Sequence, residues 1–255
     1  MAQGPDRNLP AAPTRAPRPQ RDSSPDAAPT AASDLDPAAQ AALERVVATL
    51  GSDPAAPSSV RDPERAWRVH VADSLSGLEI RHLATATRIA DLGAGAGFPG
   101  LVLAAALPAA RVDLVESVGR KCEFMRRALE RAGIANATVI CERAESWGAD
   151  AGREAYEAVT ARAVGRLATL AELASPLLAD GGVLVAWKGR RDPDEEAELA
   201  RAVPRVAMEP VETRWVGPYA GSRHRHLHVL RKRGPTPEGL PRRPGMAKKR
   251  PLGSR

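Results

Sequence analysis

Four glycines fall within ten residues in the stretch Asp91-Leu-Gly-Ala-Gly-Ala-Gly-Phe-Pro-Gly100. The stretch follows a short apolar run at 88–92 and opens onto a longer one at 101–107. Glycine at a strand-to-helix junction permits a tight turn and lets a ligand come close to the backbone. Such a junction narrows the architecture to units in which a strand hands directly to a helix packed against the same sheet.

The rest of the chain repeats that unit. Strands are expected at 88–92, 112–116, 137–141, 158–161 and 183–187, the last after the Asp180-Gly-Gly182 turn. Helices are expected between and after them, at 101–107, 119–132, 167–178 and 192–202. Alternation of this kind predicts a parallel sheet with helices on both faces. Two late strands, 211–216 and 227–230, follow one another without a helix, which predicts an antiparallel pair at the sheet edge. Upstream, Leu43, Val46, Val47 and Leu50 recur at helical spacing over 36–50, with Asp36-Pro37 as the start signal and Gly51 as the stop. A second helix is expected over 65–78, signalled by Asp62-Pro63. The fold class is therefore α/β: a doubly wound, seven-stranded, Rossmann-like domain with an N-terminal helical extension.

Composition sets the domain limits. All eight aromatic residues lie between Trp67 and Tyr219, where the core is expected. Residues 1–33 are rich in Pro, Ala and polar groups and are expected to be disordered. The folded domain is expected over 34–233, with 34–86 as the helical extension and 87–233 as the ligand-binding core. Residues 231–255 hold nine Lys/Arg against the single acid Glu238, a balance of +8 in a chain of net charge +6. A basic, Pro-rich tail over 234–255 is thus expected to be disordered and to favour a polyanionic partner, nucleic acid being the usual one. The bland alternative is a solvated tail without a specific partner. The most apolar run, 101–110, is short and contains Pro108, so no membrane span is expected. Two cysteines, Cys122 and Cys141, without metal spacing, argue against a disulfide scaffold or a metal site. No secretory signal is recognised, and a cytoplasmic monomer is the expectation.

The glycine stretch fits two registers. Gly95-Ala-Gly97-Phe-Pro-Gly100 matches the dinucleotide pattern, whereas Asp91-x-Gly93-x-Gly95-x-Gly97 matches the first motif of S-adenosylmethionine-dependent methyltransferases. A carboxylate at 91 would repel a pyrophosphate but tolerates a cationic sulfonium. Glu116, 23 residues beyond Gly93, can accept the ribose hydroxyls of either cofactor; otherwise it is a surface acid capping the next helix.

Further blocks, in order, resemble one family: the bacterial small-subunit ribosomal RNA methyltransferase G family, also called glucose-inhibited division protein B. They are Ser59-Val-Arg-Asp-Pro63, His70-Val-Ala-Asp-Ser74, the glycine loop with its Pro-Gly ending, Glu116-Ser-Val-Gly-Arg-Lys121 with Phe124, Arg162-Ala163, Lys188-Gly189 and a final Arg-His-Leu. Arg223-His224 and Arg225-His226 both offer the Arg-His pair, and Leu227 follows the second. The resemblance spans roughly residues 58–230. It implies a class I methyltransferase that uses S-adenosylmethionine to methylate guanine N7 in the 530 loop of 16S ribosomal RNA, with 16S rRNA or the small subunit as partner. By the same resemblance, Gly93, Gly95, Gly97 and Phe98 line the cofactor loop, Glu116 holds the ribose, Ala144 and Glu145 border the adenine, and Arg162 faces cofactor and target base.

The chemistry agrees with that reading. Guanine N7 has a free lone pair and no proton to remove, so alignment suffices and no general base is required. No Asn/Asp-Pro-Pro-aromatic block follows the fourth strand, and neither cysteine sits in a Pro-Cys setting. Arg162 is expected at a strand's carboxyl end, where it can contact guanine O6 or phosphate; its structural alternative is an ion pair. Lys188, Arg225, His226 and His70 are candidate RNA contacts, against the plainer readings of a solvated lysine and a structural histidine. Two other functions remain open from the residues alone: a nicotinamide-dependent oxidoreductase, and a noncatalytic RNA-binding protein on a degenerate cofactor fold.

Overall fold

A computed structural model describes Met1 and residues 35–254 of the protein. The expectation for residues 1–33 lies outside the described residues, Met1 apart. The chain begins with α1 (Pro37–Ser52), whose start is fixed by the Asp36 carboxylate accepting from the Ala39 N–H at 2.8 Å and by Pro37 in the first turn. Leu43, Val46, Val47 and Leu50 form its buried stripe. Burying each such side chain contributes roughly 1.5–3 kcal/mol.

The second expected helix is present over 63–79 and changes its winding along its length. It runs as α2 (Pro63–Ala66), π-helical turns (Trp67–Ala72), α3 (Asp73–Leu75) and a 3-10 turn (Ser76–Glu79), followed by α4 (Arg81–Ala84). Serine competition with the backbone accompanies these changes: Ser74 Oγ donates to the His70 carbonyl and Ser76 Oγ to the Asp73 carbonyl, each at 2.6 Å. Val69 and His70 lie in the π-helical turns and line the functional cleft described below.

The core alternates as expected: β1 (Arg88–Leu92), α5 (Gly100–Ala106), β2 (Arg111–Val115), α6 (Gly119–Ala132), β3 (Ala137–Ile140), α7 (Ala144–Ala149), β4 (Tyr156–Arg162), α8 (Leu167–Ala174), β5 (Leu178–Lys188), α9 (Pro193–Ala202), β6 (Met208–Trp215) and β7 (His226–Lys232). The sheet order is β3-β2-β1-β4-β5-β7-β6. The first five strands are mutually parallel, and β7 is antiparallel to both of its neighbours. Side chains alternate across the sheet. Ile89, Val112, Leu114, Val183 and Val185 face the cluster that holds α1, α4, α5 and α6, while Ala90, Leu92, Val115, Leu184 and Ala186 face the cluster that holds α8 and α9. Helix α8 stops at Ala174 rather than at 178 because Pro176 disfavours helix in the residue before it. The expected 180–182 turn is absorbed into β5 as an irregularity opposite Tyr156 and Ala158. Among the described residues no helix is long and apolar enough to cross a membrane.

The expectation that order ends near Gly234 is corrected. Residues 234–254 pack back across the α8–α9 face, ending in α10 (Met246–Lys249) and a buried Leu252. Leu240, Ala247 and Leu252 supply the apolar contacts that the count of charges conceals. Three of the basic groups, Lys232, Arg233 and Arg242, have acidic partners. Lys232 is fully buried and donates to the Ser175 carbonyl at 2.6 Å and to Thr236 Oγ1 at 2.9 Å. Arg242 grips Glu172 with two hydrogen bonds of 2.6 Å, and Arg233 pairs with Glu209.

Candidate functional site: two cavities at the carboxyl edge of the sheet

Parallel strands place their following loops along one edge, and open α/β sheets bind ligands there. Two cavities occupy that edge, one on each side of the loop after β4. Arg162 and Ala163 line one and Val164 lines the other. Ala163 itself takes a left-handed conformation, φ 58°, at the divide.

The first cavity, about 290 Å³, lies over the glycine loop. The Gly93 and Ala94 N–H groups donate to the Val115 carbonyl at 2.8 and 3.2 Å, which curls the loop over the end of β2. Gly93 has φ 61°, and a Cβ there would stand 2.8 Å from Val164, so both the turn and the close packing call for glycine. Glu116 is buried at the end of β2. Its Oε2 accepts from the Gly95 N–H at 3.1 Å, its Oε1 from the Val118 N–H at 2.9 Å, and the Lys121 ammonium stands 3.5 Å away. Ala144, Glu145, Leu173 and Val164 form further walls, and the far side is made by Gly245, Ala247, Lys248 and Lys249.

Asp91 does not reach this cavity. It is fully buried beneath the loop, accepting from the Gly100 N–H and Thr160 Oγ1 at 2.9 Å each. Burial pushes its carboxyl up to about 7. Its place before the first glycine therefore reflects construction of the loop, not a charge offered to a ligand.

The second cavity, about 550 Å³, is more open and more basic. Arg162, at the end of β4, is its centre. One guanidinium nitrogen donates to the Val69 carbonyl at 3.1 Å and to Asp73 Oδ2 at 3.0 Å, and the other meets His70 Nδ1 at 3.1 Å. The guanidinium also lies 5.6 Å above the Phe98 ring. His70 stacks on Phe98 at 4.6 Å with the rings nearly parallel. Burial, with the Arg162 charge beside it, holds the His70 imidazole down at about 4, so the ring is neutral near pH 7. An Arg162 N–H donating to Nδ1 leaves the proton on Nε2, which faces Ser58 Oγ at 3.3 Å. Asp73 also faces Arg225 at 3.2 Å, an ion pair without an aligned hydrogen bond.

The expected site residues therefore divide. Gly93, Glu116, Ala144 and Glu145 line the first cavity, and Gly95 is tied to it through Glu116. His70, Arg162, Lys188 and Arg225 line the second. Gly97 and Phe98 line neither. Gly97 packs against Leu101, and Phe98 is buried under His70, joining the loop to the second cavity. Lys188 is held by Glu195 at 2.6 Å and by the Gly165 carbonyl at 3.1 Å. His226 sits at the start of β7 with Nδ1 on the Gly189 carbonyl at 2.8 Å. Arg225, not Arg223, lines the cleft. Cys122 donates to the Glu116 carbonyl at 3.2 Å, and burial pushes its thiol up to about 12, far from a nucleophile.

Sequence reasoning missed two parts of the site. Asp73, quoted above only within the His70–Ser74 block, is the carboxylate that pairs with both Arg162 and Arg225. The 245–249 segment lines the first cavity although its basic composition suggested disorder. Gly245 and the apolar Leu240, Ala247 and Leu252 were the available signals.

Comparison with known proteins points one way. A family model described as rRNA small subunit methyltransferase G (GidB) matches residues 56–224. The ribosomal RNA small subunit methyltransferase G of Pelotomaculum thermopropionicum is 43% identical over 190 residues, covering 72% of this chain and 77% of the relative. That of Rubrobacter xylanophilus is 41% identical over 197 residues, covering 75% of each. A solved S-adenosylmethionine-dependent O-methyltransferase from Thermotoga maritima shares the fold with a TM-score of 0.51 at 16% identity, over 71% of this chain and 74% of that one.

Proposed function

We propose, from the premise that the chain belongs to the rRNA small subunit methyltransferase G family, that it methylates N7 of a guanine in the 530 loop of 16S ribosomal RNA. The chain is an S-adenosylmethionine-dependent ribosomal RNA methyltransferase of the class I fold. The observation that carries the finer reading is the adjacency of the two cavities across Ala163 and Val164, one glycine-lined with a carboxylate at its rim, the other centred on an arginine.

The first cavity suits the cofactor. Glu116 at the end of β2 offers acceptors to ribose hydroxyls, and Val115, Ala144, Val164 and Leu173 offer apolar walls to the adenine. When bound, S-adenosylmethionine supplies an electrophilic methyl group on a cationic sulfur. Gly93 and Gly95 both take positive φ, the conformation that lets the loop turn closely over the cavity floor. Glu145 stands at the adenine end, held by the Gly245 N–H at 2.6 Å.

The second cavity suits the acceptor base. Its volume and basic lining fit a nucleotide and its phosphate, with Arg162 and Arg225 as the charged groups and Lys188 beside them. Arg162 can donate to guanine O6, leaving the N7 lone pair free to take the methyl group. No proton leaves N7, so these residues need only orient the base. A neutral His70 fits this: the ring stacks and positions Arg162 and adds no positive charge next to a base that becomes cationic. Action in the cytoplasm as a monomer completes the proposal.

The test is transfer of labelled methyl groups to unmodified 16S rRNA and to small subunits, followed by mass spectrometry of the digested RNA. One new 7-methylguanosine, mapped to the 530 loop, is the expected result. Transfer at another position or atom overturns the reading.

A further inference from the structure

The family match ends at residue 224, yet the first cavity is completed by residues beyond it. The loops after β1, β2, β3 and β4 make three sides. Gly245, Ala247, Lys248 and Lys249 make the fourth.

This fourth side is built in and held along its length. Lys232 anchors its start from a wholly buried position. Arg242 clamps Glu172, a buried carboxylate on α8, through two hydrogen bonds of 2.6 Å. Thr169 Oγ1 donates to the Ala247 carbonyl at 3.3 Å, and Arg201 donates to the Gly253 carbonyl at 2.8 Å. The Gly245 N–H ends on Glu145, so the segment also fixes one oxygen of a carboxylate lining the cavity. Ala247 is buried, whereas Lys248 and Lys249 are exposed on the same wall of a cavity that Glu116, Glu142 and Glu145 also line. The wall thus turns an apolar residue toward the cavity and balances an acidic rim with two ammonium groups.

We propose that residues 245–249 are part of the cofactor site: a wall that closes the adenosine end and steadies Glu145. The inference rests on the assignment of the first cavity to S-adenosylmethionine. Its ligand class is an adenosine thioether or sulfonium, so substrate and product cofactor are affected alike.

The test is titration calorimetry of S-adenosylmethionine and S-adenosylhomocysteine into the native chain and Arg242→Ala, with hydrogen exchange followed over 240–254. The native chain is expected to slow exchange in that segment when either ligand binds. Arg242→Ala is expected to speed it and to weaken both ligands at least tenfold, by similar factors. Where Arg242→Ala leaves exchange unchanged, a chain ending after Leu240, verified as folded by its melting transition, is expected to show the same loss. Affinities within twofold of native in a released or shortened folded chain overturn the proposal. Tighter binding overturns it too, because the segment would then obstruct the cavity. A native chain that binds neither ligand refutes the cofactor assignment itself.

Discussion

Arg162 and Asp73 form an ion pair of 3.0 Å across 89 residues of sequence, tying the end of β4 to the helical extension. Both side chains are largely withdrawn from solvent, at 16% and 5% exposure, so their separation strands a charge in a poorly hydrated place. The pair positions the guanidinium over Phe98 and beside His70, at the mouth of the cleft assigned to the acceptor base.

Arg162→Ala is expected to reduce methyl transfer at least a hundredfold while leaving cofactor affinity within about twofold, because Arg162 does not line the first cavity. Removing its hydrogen bond to Asp73 should cost about 1–3 kcal/mol of stability. Arg162→Lys keeps the charge without the fork and should restore stability more than turnover. Parallel urea unfolding, calorimetry and single-turnover assays separate these effects.

Glu116→Gln keeps the size of the side chain and one acceptor. Hydrogen bonds to a charged group contribute about 1.5–3 kcal/mol, so S-adenosylmethionine should bind about ten- to a hundredfold more weakly. Calorimetry measures this directly. An unchanged affinity would mean that Glu116 serves only the Gly95 and Val118 backbone.

Two buried groups give the stability an opposed pH dependence. His70 stays neutral in the fold down to about 4, whereas the unfolded chain takes up its proton near 6.5, so stability is lost as pH falls between those values. Asp91 keeps its proton in the fold up to about 7, against 3.8 unfolded, so its contribution is present near pH 4 and is lost as pH rises toward 7. The two slopes oppose one another between about 4 and 6.5. His70→Gln should leave a chain that gains relative stability on acidification over that range, and Asp91→Asn the reverse. Urea midpoints from pH 4 to 7.5 decide the signs.

Gly100→Ala tests the close packing under the loop. A Cβ there would stand 2.1 Å from Leu114 and 2.9 Å from Asp91 Oδ2, a buried carboxyl already bonded to the Gly100 N–H. Overpacking of this kind costs about 1–3 kcal/mol. A melting temperature equal to native would show that the loop and β2 yield more easily than their burial implies.

What the sequence revealed depended on how local the cause was. The helix at 119–132 and the strand at 88–92 follow from spacing and end signals within a few residues, and both occur at those limits. The changes of winding within 63–79 accompany serine hydroxyl bonds to the helix backbone, which periodicity does not register. In the candidate site, the glycine loop and Glu116 were legible because one strand-turn-helix unit carries them. Asp73 was not, since its role exists only once β4 brings Arg162 beside it. The 234–254 segment was misread because net charge was summed without partners. Glu172 answers Arg242 from 70 residues away, and Leu240, Ala247 and Leu252 bury apolar surface that a charge count does not register.

The insertion of β7 between β5 and β6 has a consequence for biosynthesis. As the chain emerges from the ribosome, β6 appears first, but the strand it pairs with is not yet made. The free side of β5 then presents an unpaired backbone edge until residue 232 has been synthesised, the kind of edge that recruits other chains. The nascent domain is therefore most exposed to aggregation over the interval between completion of β5 and arrival of β7, and translational pausing within that interval should lower the yield of folded protein.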